Sequence, residues 1–336
     1  MAVYSPTGTG DVHIDAVLTQ ISLGWPNNGL IGDALFPTVP VRKQSDKYYV
    51  FGRESWLPET SDFRAPGTEA NEVPGLQVSL TPYYAQEHAL QIAVTDEERE
   101  NADSPLSPDR DGTELVTSKI HLGREVAIKN LVTTAANYAA GMSTTLSGNH
   151  QWNEYAQDDS DPIPDFRAAV RAVHAKLFME PNLAVIPYQV MSVLQDHPKI
   201  IERIKYSERA ILTPEIIAAV LGIQRVLVPG VGIGAGAVGT PGVSVTASYL
   251  WGKDVLLAWV PARAGLRIPA FGYEFTWSYP GAGVQAVDRW REEKRKSDVI
   301  RVGRRYDLKL VGVEIDPGSA DVGKSIAGYL IKDAIA

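Results

Sequence analysis

Gly234, Gly236 and Gly239 stand in the order Gly-x-Gly-x-x-Gly, in a glycine-rich loop after the β-favouring run 225–228. That spacing lets a strand-turn-helix unit bring backbone N–H groups against a pyrophosphate, so the chemistry would be nucleotide binding. The continuation does not suit it. Thr240, Pro241 and Gly242 follow, then the β-rich residues 243–246, where the motif needs a helix N-terminus. No acidic residue closes a following strand about twenty residues on. The stretch reads as a flexible loop.

Other chemistries fare no better. His13, His88, His121, His150, His174 and His197 include no pair at the spacing of a helical metal site. Asp158, Asp159 and Asp161 lack the rest of a calcium loop. There is no Gly-x-Ser-x-Gly elbow and no phosphate-binding P-loop. With no cysteine, disulfides, thiolate metal sites and Cys nucleophiles are excluded. We therefore expect no catalytic residue, no cofactor and no metal.

One stretch is charged enough to bind something. Residues 289–305 hold eight basic and three acidic side chains, including Arg289, Arg291 and Arg295. They could meet a phosphate backbone, a neighbouring subunit or only water. With a single aromatic, Trp290, and no reader motif, a subunit contact or a solvated face is favoured over nucleic acid.

The elements that must carry these residues centre on residues 113–138. Leu115, Val116, Ile120, Leu122, Ala127, Leu131, Val132, Ala135 and Ala139 recur at helical spacing. Asp111, with Glu114 three residues on, reads as its cap. Such a helix would be about 39 Å long, a beam for the rest of the chain. Residues 1–40 read as a loose arm with a sticky segment at 30–37. Residues 47–51 and 77–80 read as strands joined by the polar segment 52–75. A connection that long is unusual inside a compact domain. It reads as a two-stranded finger, which is marginal alone and so needs a partner surface. A second helix opens at Pro164, and residues 183–285 read as an α/β block with strands at 183–186, 225–228, 243–246, 255–260 and 273–277. Two long strands, 298–302 and 306–315, follow, and then a closing strand at 327–332.

Composition bounds the rest. The 336 residues suffice for one large or two modest domains. A net charge of −8 argues against nucleic-acid binding through overall charge. No apolar run is long enough for a membrane helix, and the N-terminus lacks a signal-peptide pattern. A cytoplasmic site of synthesis is expected.

In order and texture the chain resembles the major capsid proteins of tailed bacteriophages, which have the Hong Kong 97 fold. Residues 35–43 with Asp46, Lys47, Tyr48 and Tyr49 look like that family's arm-to-loop junction. Residues 183–187 and 193–205 look like the start of its axial domain, and 295–302 with 327–331 like its closing strands. The resemblance implies an α+β fold with an N-terminal arm (1–40) and an extended β-hairpin loop (41–95). It implies a peripheral domain (96–182 and 286–336) on the long spine helix (113–138), and an axial domain (183–285). Function would then be self-assembly as pentamers and hexamers into an icosahedral shell around a double-stranded DNA phage genome.

The expected partners are copies of itself, a portal protein, a scaffold protein and, optionally, a decoration protein. The packaged DNA would be held without sequence-specific binding, and no membrane is involved. The chain would reside in the virion capsid after assembly in the host cytoplasm. Lys47, Arg53, Glu54, Trp56, Glu59, Asp62, Arg64, Glu69, Arg289, Arg291 and Arg295 are the expected subunit contacts. Gly232, Gly234, Gly236 and Gly239 are the expected axial-loop residues. Residues 53–72 contain no lysine, which argues against the lysine–asparagine cross-link of some relatives. The start at Met1, without a long helical scaffold segment, suggests a separate scaffold. An encapsulin-like cargo compartment is the main alternative, and a nucleotide-dependent enzyme using the glycine loop a second.

Overall fold

The structure is a computed structural model. It describes residues 29–51, 62–73, 75, 78–103, 106–204, 213–235, 246–265, 268, 270–278, 284–314 and 319–336. The elements in chain order are α1 (Gly32–Leu35), β1 (Thr38–Val41), β2 (Ser45–Phe51), β3 (Val78–Tyr84) and β4 (Gln86–Thr95). Next come α2 (Asp96–Glu100), α3 (Pro108–Thr133), β5 (Ser143–Thr145), α4 (Pro162–Leu177), β6 (Leu183–Val185) and α5 (Tyr188–Asp196). They continue with α6 (Pro198–Ile204), α7 (Pro214–Leu221), β7 (Arg225–Leu227), β8 (Gly232–Ala235) and β9 (Thr246–Tyr249). The chain closes through β10 (Val255–Ala258), β11 (Gly272–Trp277), β12 (Gln285–Glu292), β13 (Ser297–Leu310) and β14 (Gly328–Lys332).

The long helix is present, with 26 residues, but lies five residues earlier than its apolar pattern suggests. Pro108 takes the first turn, where its missing N–H costs nothing. Asp111 is inside the helix, not its cap, and its side chain accepts a hydrogen bond from Ser107 N at 3.1 Å. The C-terminal end comes at Thr133, because Thr134 turns extended. The Asn137 amide and the Tyr138 hydroxyl donate back to the carbonyls of Leu131 and Val132, each at 2.7 Å, satisfying backbone that a longer helix would have paired.

Buried positions on α3 recur every fourth residue: Gly112, Val116, Ile120, Arg124, Ile128 and Val132. Four residues exceed a turn by about 40°, so the buried stripe winds around the helix. At one end Val116 and Ile120 pack on Ile92 of β4 and Val302 of β13. At the other, Ile128 and Val132 enter a large core with Leu35, Phe36, Trp251, Phe271 and Leu330. One helix thus serves two cores on different faces.

Strand topology has two five-stranded sheets. In the first, β1 pairs parallel with β11, β11 antiparallel with β13, and β13 antiparallel with both β12 and β4. Tyr306 pairs with Thr276 of β11 and with Gln86 of β4, so β4 lies along the opposite edge of β13 from β11. The second sheet runs β5-β14-β10-β6-β7. Both sheets draw strands from either side of residue 285. The two strands expected at 298–302 and 306–315 are one 14-residue strand, Ser297–Leu310. The Gly303-Arg304-Arg305 run does not break it, because each guanidinium meets a carboxylate, Arg304 at Glu274 and Arg305 at Glu87.

Between the two cores of α3 sits a buried charged clasp. The Arg124 guanidinium meets Glu274 of β11, with Nε donating to Oε2 at 2.6 Å, and its other end reaches Asp33 at 2.8 Å. Arg304 of β13 donates to the second Glu274 oxygen at 2.6 and 3.1 Å. Next along the helix, Glu125 accepts from the backbone N–H groups of Ile31 and Gly32 and from Trp251 Nε1, at 3.0–3.1 Å. Burial pushes the Glu125 carboxyl above the usual range, and these donors oppose that shift. A Cβ at Gly32 would stand 2.6 Å from Ile128 Cδ1 and 2.9 Å from Glu125 Oε2, so a larger residue there has to displace these side chains. The arm root therefore docks on its own body, with Leu35 and Phe36 fully buried; residues 1–28 of the expected arm lie outside the described residues.

Removing one partner from a buried, hydrogen-bonded ion set leaves uncompensated charge. Glu274→Ala should cost about 3–5 kcal/mol in urea unfolding. A loss under about 1 kcal/mol would mean that the triad is not what joins helix and sheet.

Candidate functional site

The finger is a two-stranded sheet, β2 against β3, registered from Ser45↔Tyr84 to Phe51↔Val78. Directly opposed residues share a face. On the inward face Tyr48 and Tyr83 flank Phe275 at 4.9 and 5.0 Å, and Val50 is buried. Burial pushes the Tyr48 hydroxyl up to about 12. The Tyr84 N–H donates to Asp307 at 2.8 Å, pinning the base to β13. The outward face is apolar and open: Tyr49, Leu80, Val78 and Tyr84 are 61%, 52%, 43% and 53% exposed.

Of the expected finger contacts, Lys47 is exposed on β2 opposite Pro82. Asp62, Arg64 and Glu69 are exposed in a non-strand segment that turns at residues 65–68, where Thr68 N bonds Ala65 O at 3.2 Å. Arg53, Glu54, Trp56 and Glu59 lie outside the described residues, as do Gly236 and Gly239.

The basic run is largely answered within the chain. Arg289 bonds Asp298 at 2.6 Å and Asp109 at 3.1 Å, and Arg291 makes a bidentate pair with Asp96 at 2.6 Å. Arg99 joins Asp109 and Asp298 in the same network. These guanidiniums hold the Asp96 and Asp298 carboxyls below the usual range. Arg295 is exposed and pairs with Glu292 at 3.5 Å, while Arg301 pairs with Asp288 at 2.6 Å and lies over Trp290. The acids come from α2, α3 and the neighbouring strands. Nothing in the linear count of charges foretells them.

Gly232 and Gly234 lie on β8, which pairs antiparallel with β9 as a two-stranded ribbon. Gly234 lies within this paired strand, opposite Ala247, rather than in the turn after a strand where a nucleotide fingerprint places its first glycine.

One constellation that sequence spacing could not find is a buried Ser160–His197 pair, with Oγ and Nε2 3.5 Å apart. It is not a nucleophile and base. His197 Nδ1 accepts from Lys199 N at 3.3 Å, at the start of α6, which puts the ring proton on Nε2. The Ser160 hydroxyl donates to Gln151 O at 2.9 Å. With the facing nitrogen protonated, the ring cannot take the serine proton. The pair ties the 151–160 loop to α6.

No family model matches the chain. A helix-and-sheet body on a long spine helix, with a finger projecting from one sheet, is the Hong Kong 97-type capsid architecture, and solved phage capsids share it. The chain is 27% identical over 328 residues to the major capsid protein of Burkholderia phage BcepMu, covering 95% of each. It is 34% identical over 191 residues to that of Pseudomonas phage JBD67, covering 56% of this chain and 59% of the relative. Among solved structures, a phage-related protein from Bordetella bronchiseptica matches with TM-score 0.67 and 25% identity over 95% of this chain and 97% of its own. The cyanophage P-SCSP1u capsid (TM-score 0.59, 12% identity, 97% and 95% covered) and an encapsulin from Synechococcus elongatus (0.50, 10%, 95% and 95%) share the fold. In sequence and fold the chain is similar to phage major capsid proteins.

Burial holds His197 below its ordinary value. A base with a lowered folded-state pKa binds fewer protons when folded, so its stability contribution is present above about pH 6.5 and lost as pH falls through the folded value. His197→Asn can keep the helix cap without titrating. It should flatten the fall in melting temperature below about pH 6.5; an unchanged fall would assign that acid sensitivity elsewhere.

Proposed function

We propose that this protein is the shell subunit of a phage head, assembling as pentamers and hexamers into an icosahedral capsid around double-stranded DNA. The observation that carries the reading is end-to-end likeness to a phage major capsid protein, 95% of both chains. The role is structural, and its seat is the virion capsid. Assembly would take place in the host cytoplasm with a scaffold, a portal at one vertex and an optional decoration protein. No catalytic step is assigned.

In this reading residues 1–40 form the arm and 41–95 the extended loop. Residues 96–182 and 286–336 form the peripheral domain, and 183–285 the axial domain, whose ribbon β8–β9 faces the capsomer centre. The finger docks on a neighbouring subunit through Tyr49, Val78, Leu80 and Tyr84. Lys47, Asp62, Arg64 and Glu69 flank that contact, and Arg53, Glu54, Trp56 and Glu59 are further contacts of the same loop. Arg295, at the exposed β12–β13 turn, is the member of the basic run best placed to reach a neighbour; Arg289 and Arg291 act through their own acidic partners. An encapsulin-like shell has the same fold, but both sequence relatives are named as phage capsid proteins. Weak contacts suffice, because each subunit meets many neighbours.

Leu80→Asp tests the docking face. An exposed position should change folding stability by less than about 0.5 kcal/mol. The purified variant, supplied with scaffold, should melt like the parent yet fail to form shells in negative-stain microscopy and sedimentation. Shells at the parental yield would reject the finger contact. Failure of the parent itself to form shells or capsomers with its scaffold would reject the capsid reading.

A further inference from the structure

The basic run at 289–305 is the obvious candidate for a polyanion, but each of its arginines meets a carboxylate, leaving Lys294 and Lys296 exposed at its turn. A pair of unanswered arginines stands on α4. This helix turns Ile163, Phe166, Ala169 and Val173 into the core. Its opposite face carries Arg167, Ala168, Arg171, His174 and Ala175, all exposed. Arg167 and Arg171 have no ion-pair or hydrogen-bond partner among the described residues. No Asp or Glu occurs from residue 166 to 179, in a chain whose net charge is −8. His174 lies edge-on to Phe178, which closes the helix in a left-handed conformation. Lys176, partly buried, is within electrostatic range of Asp321.

We infer that the solvent face of α4 is a contact for the phosphate backbone of duplex DNA, with Arg167 and Arg171 as the phosphate ligands. This rests on the capsid reading above. The two arginines are one turn apart, and the face from Arg167 to His174 spans about 10 Å. Duplex DNA presents a charge about every 1.7 Å of its axis, so each subunit can reach about two phosphates without a fixed register. A protein partner fits this face less well. Interface centres are depleted in charge and rely on aromatic anchors in pockets, whereas alanine separates the charges here. Contacts this weak matter only when repeated, and a closed shell repeats them on every subunit. They would restrain DNA without reading it and without holding it against release.

The test measures binding of the purified full-length protein to a short DNA duplex as a function of salt, for the parent and for R167Q/R171Q. Loss of two phosphate contacts should lower the slope of log K against log salt by about 2. A control, K119Q/R263Q, removes the same charge from α3 and from the loop after β10, and should leave most of that slope. An unchanged slope in R167Q/R171Q, or an equal fall in the control, overturns the proposal. So does loss of binding to a poly-glutamate peptide with the DNA slope intact, which would make the face a protein site. Negative-stain microscopy of the same samples reads the shell separately. Shells with an unchanged DNA slope reject only the α4 contact, and absence of shells from the parent with scaffold rejects the capsid reading itself.

Discussion

Two carboxylates buried against the spine helix constrain everything around them. A carboxylate taken out of water costs several kcal/mol unless its lone pairs and charge are answered. Glu125 is answered by the first N–H groups of α1 and by Trp251, and Glu274 by Arg124 and Arg304. Satisfying both at once requires four parts of the chain to meet at one level of α3: the arm root, the loop after β9, β11 and β13. Hydrophobic burial alone would tolerate some sliding of these parts. Directional bonds to charged groups do not. The clasp therefore acts as the registration point of the fold, with apolar cores on either side supplying most of the stabilisation.

With the body registered, the finger follows. A two-stranded hairpin cannot bury enough surface to hold itself. Here one face is fastened by Tyr48 and Tyr83 around Phe275 and by the Tyr84–Asp307 bond. The other face keeps four large apolar side chains in water. A row of that kind marks an interaction site in a soluble protein. The same rigidity that makes the finger expensive to leave open makes it cheap to dock, since little backbone entropy is left to lose.

Much of the architecture was legible in the sequence because it depends on local periodicity. The spine helix, α4, the finger strands and the closing strand all appear from spacing and turn residues, with boundaries displaced where caps decide them. Ser107 and Pro108 outrank Asp111 at the start of α3, and the Asn137 and Tyr138 side chains end it early. What was not legible depends on contacts between distant positions. Glu274 lies 150 residues from Arg124, and His197 lies 37 from Ser160. No spacing rule connects them. The finger's need for a partner could be read from its length, but which face stays open follows only from the strand register on the body.

Charge was the least legible quantity, for a physical reason. A sequence window counts charges along the chain, whereas Coulomb energy depends on distance in space. Arg289 and Arg291 come within about one hydrogen bond of Asp96, Asp109 and Asp298, so the strongest basic run presents little net field to a distant partner. The α4 arginines make no such mark in a linear count, yet they face water unopposed. A shell benefits from this arrangement. Charge answered within the chain adds little repulsion between neighbouring copies. Meanwhile the association itself can rest on apolar contacts, whose strength depends little on ionic conditions. Residual positive charge is then useful only where a polyanion is to be held loosely, and two arginines per subunit are few enough for that hold to be undone.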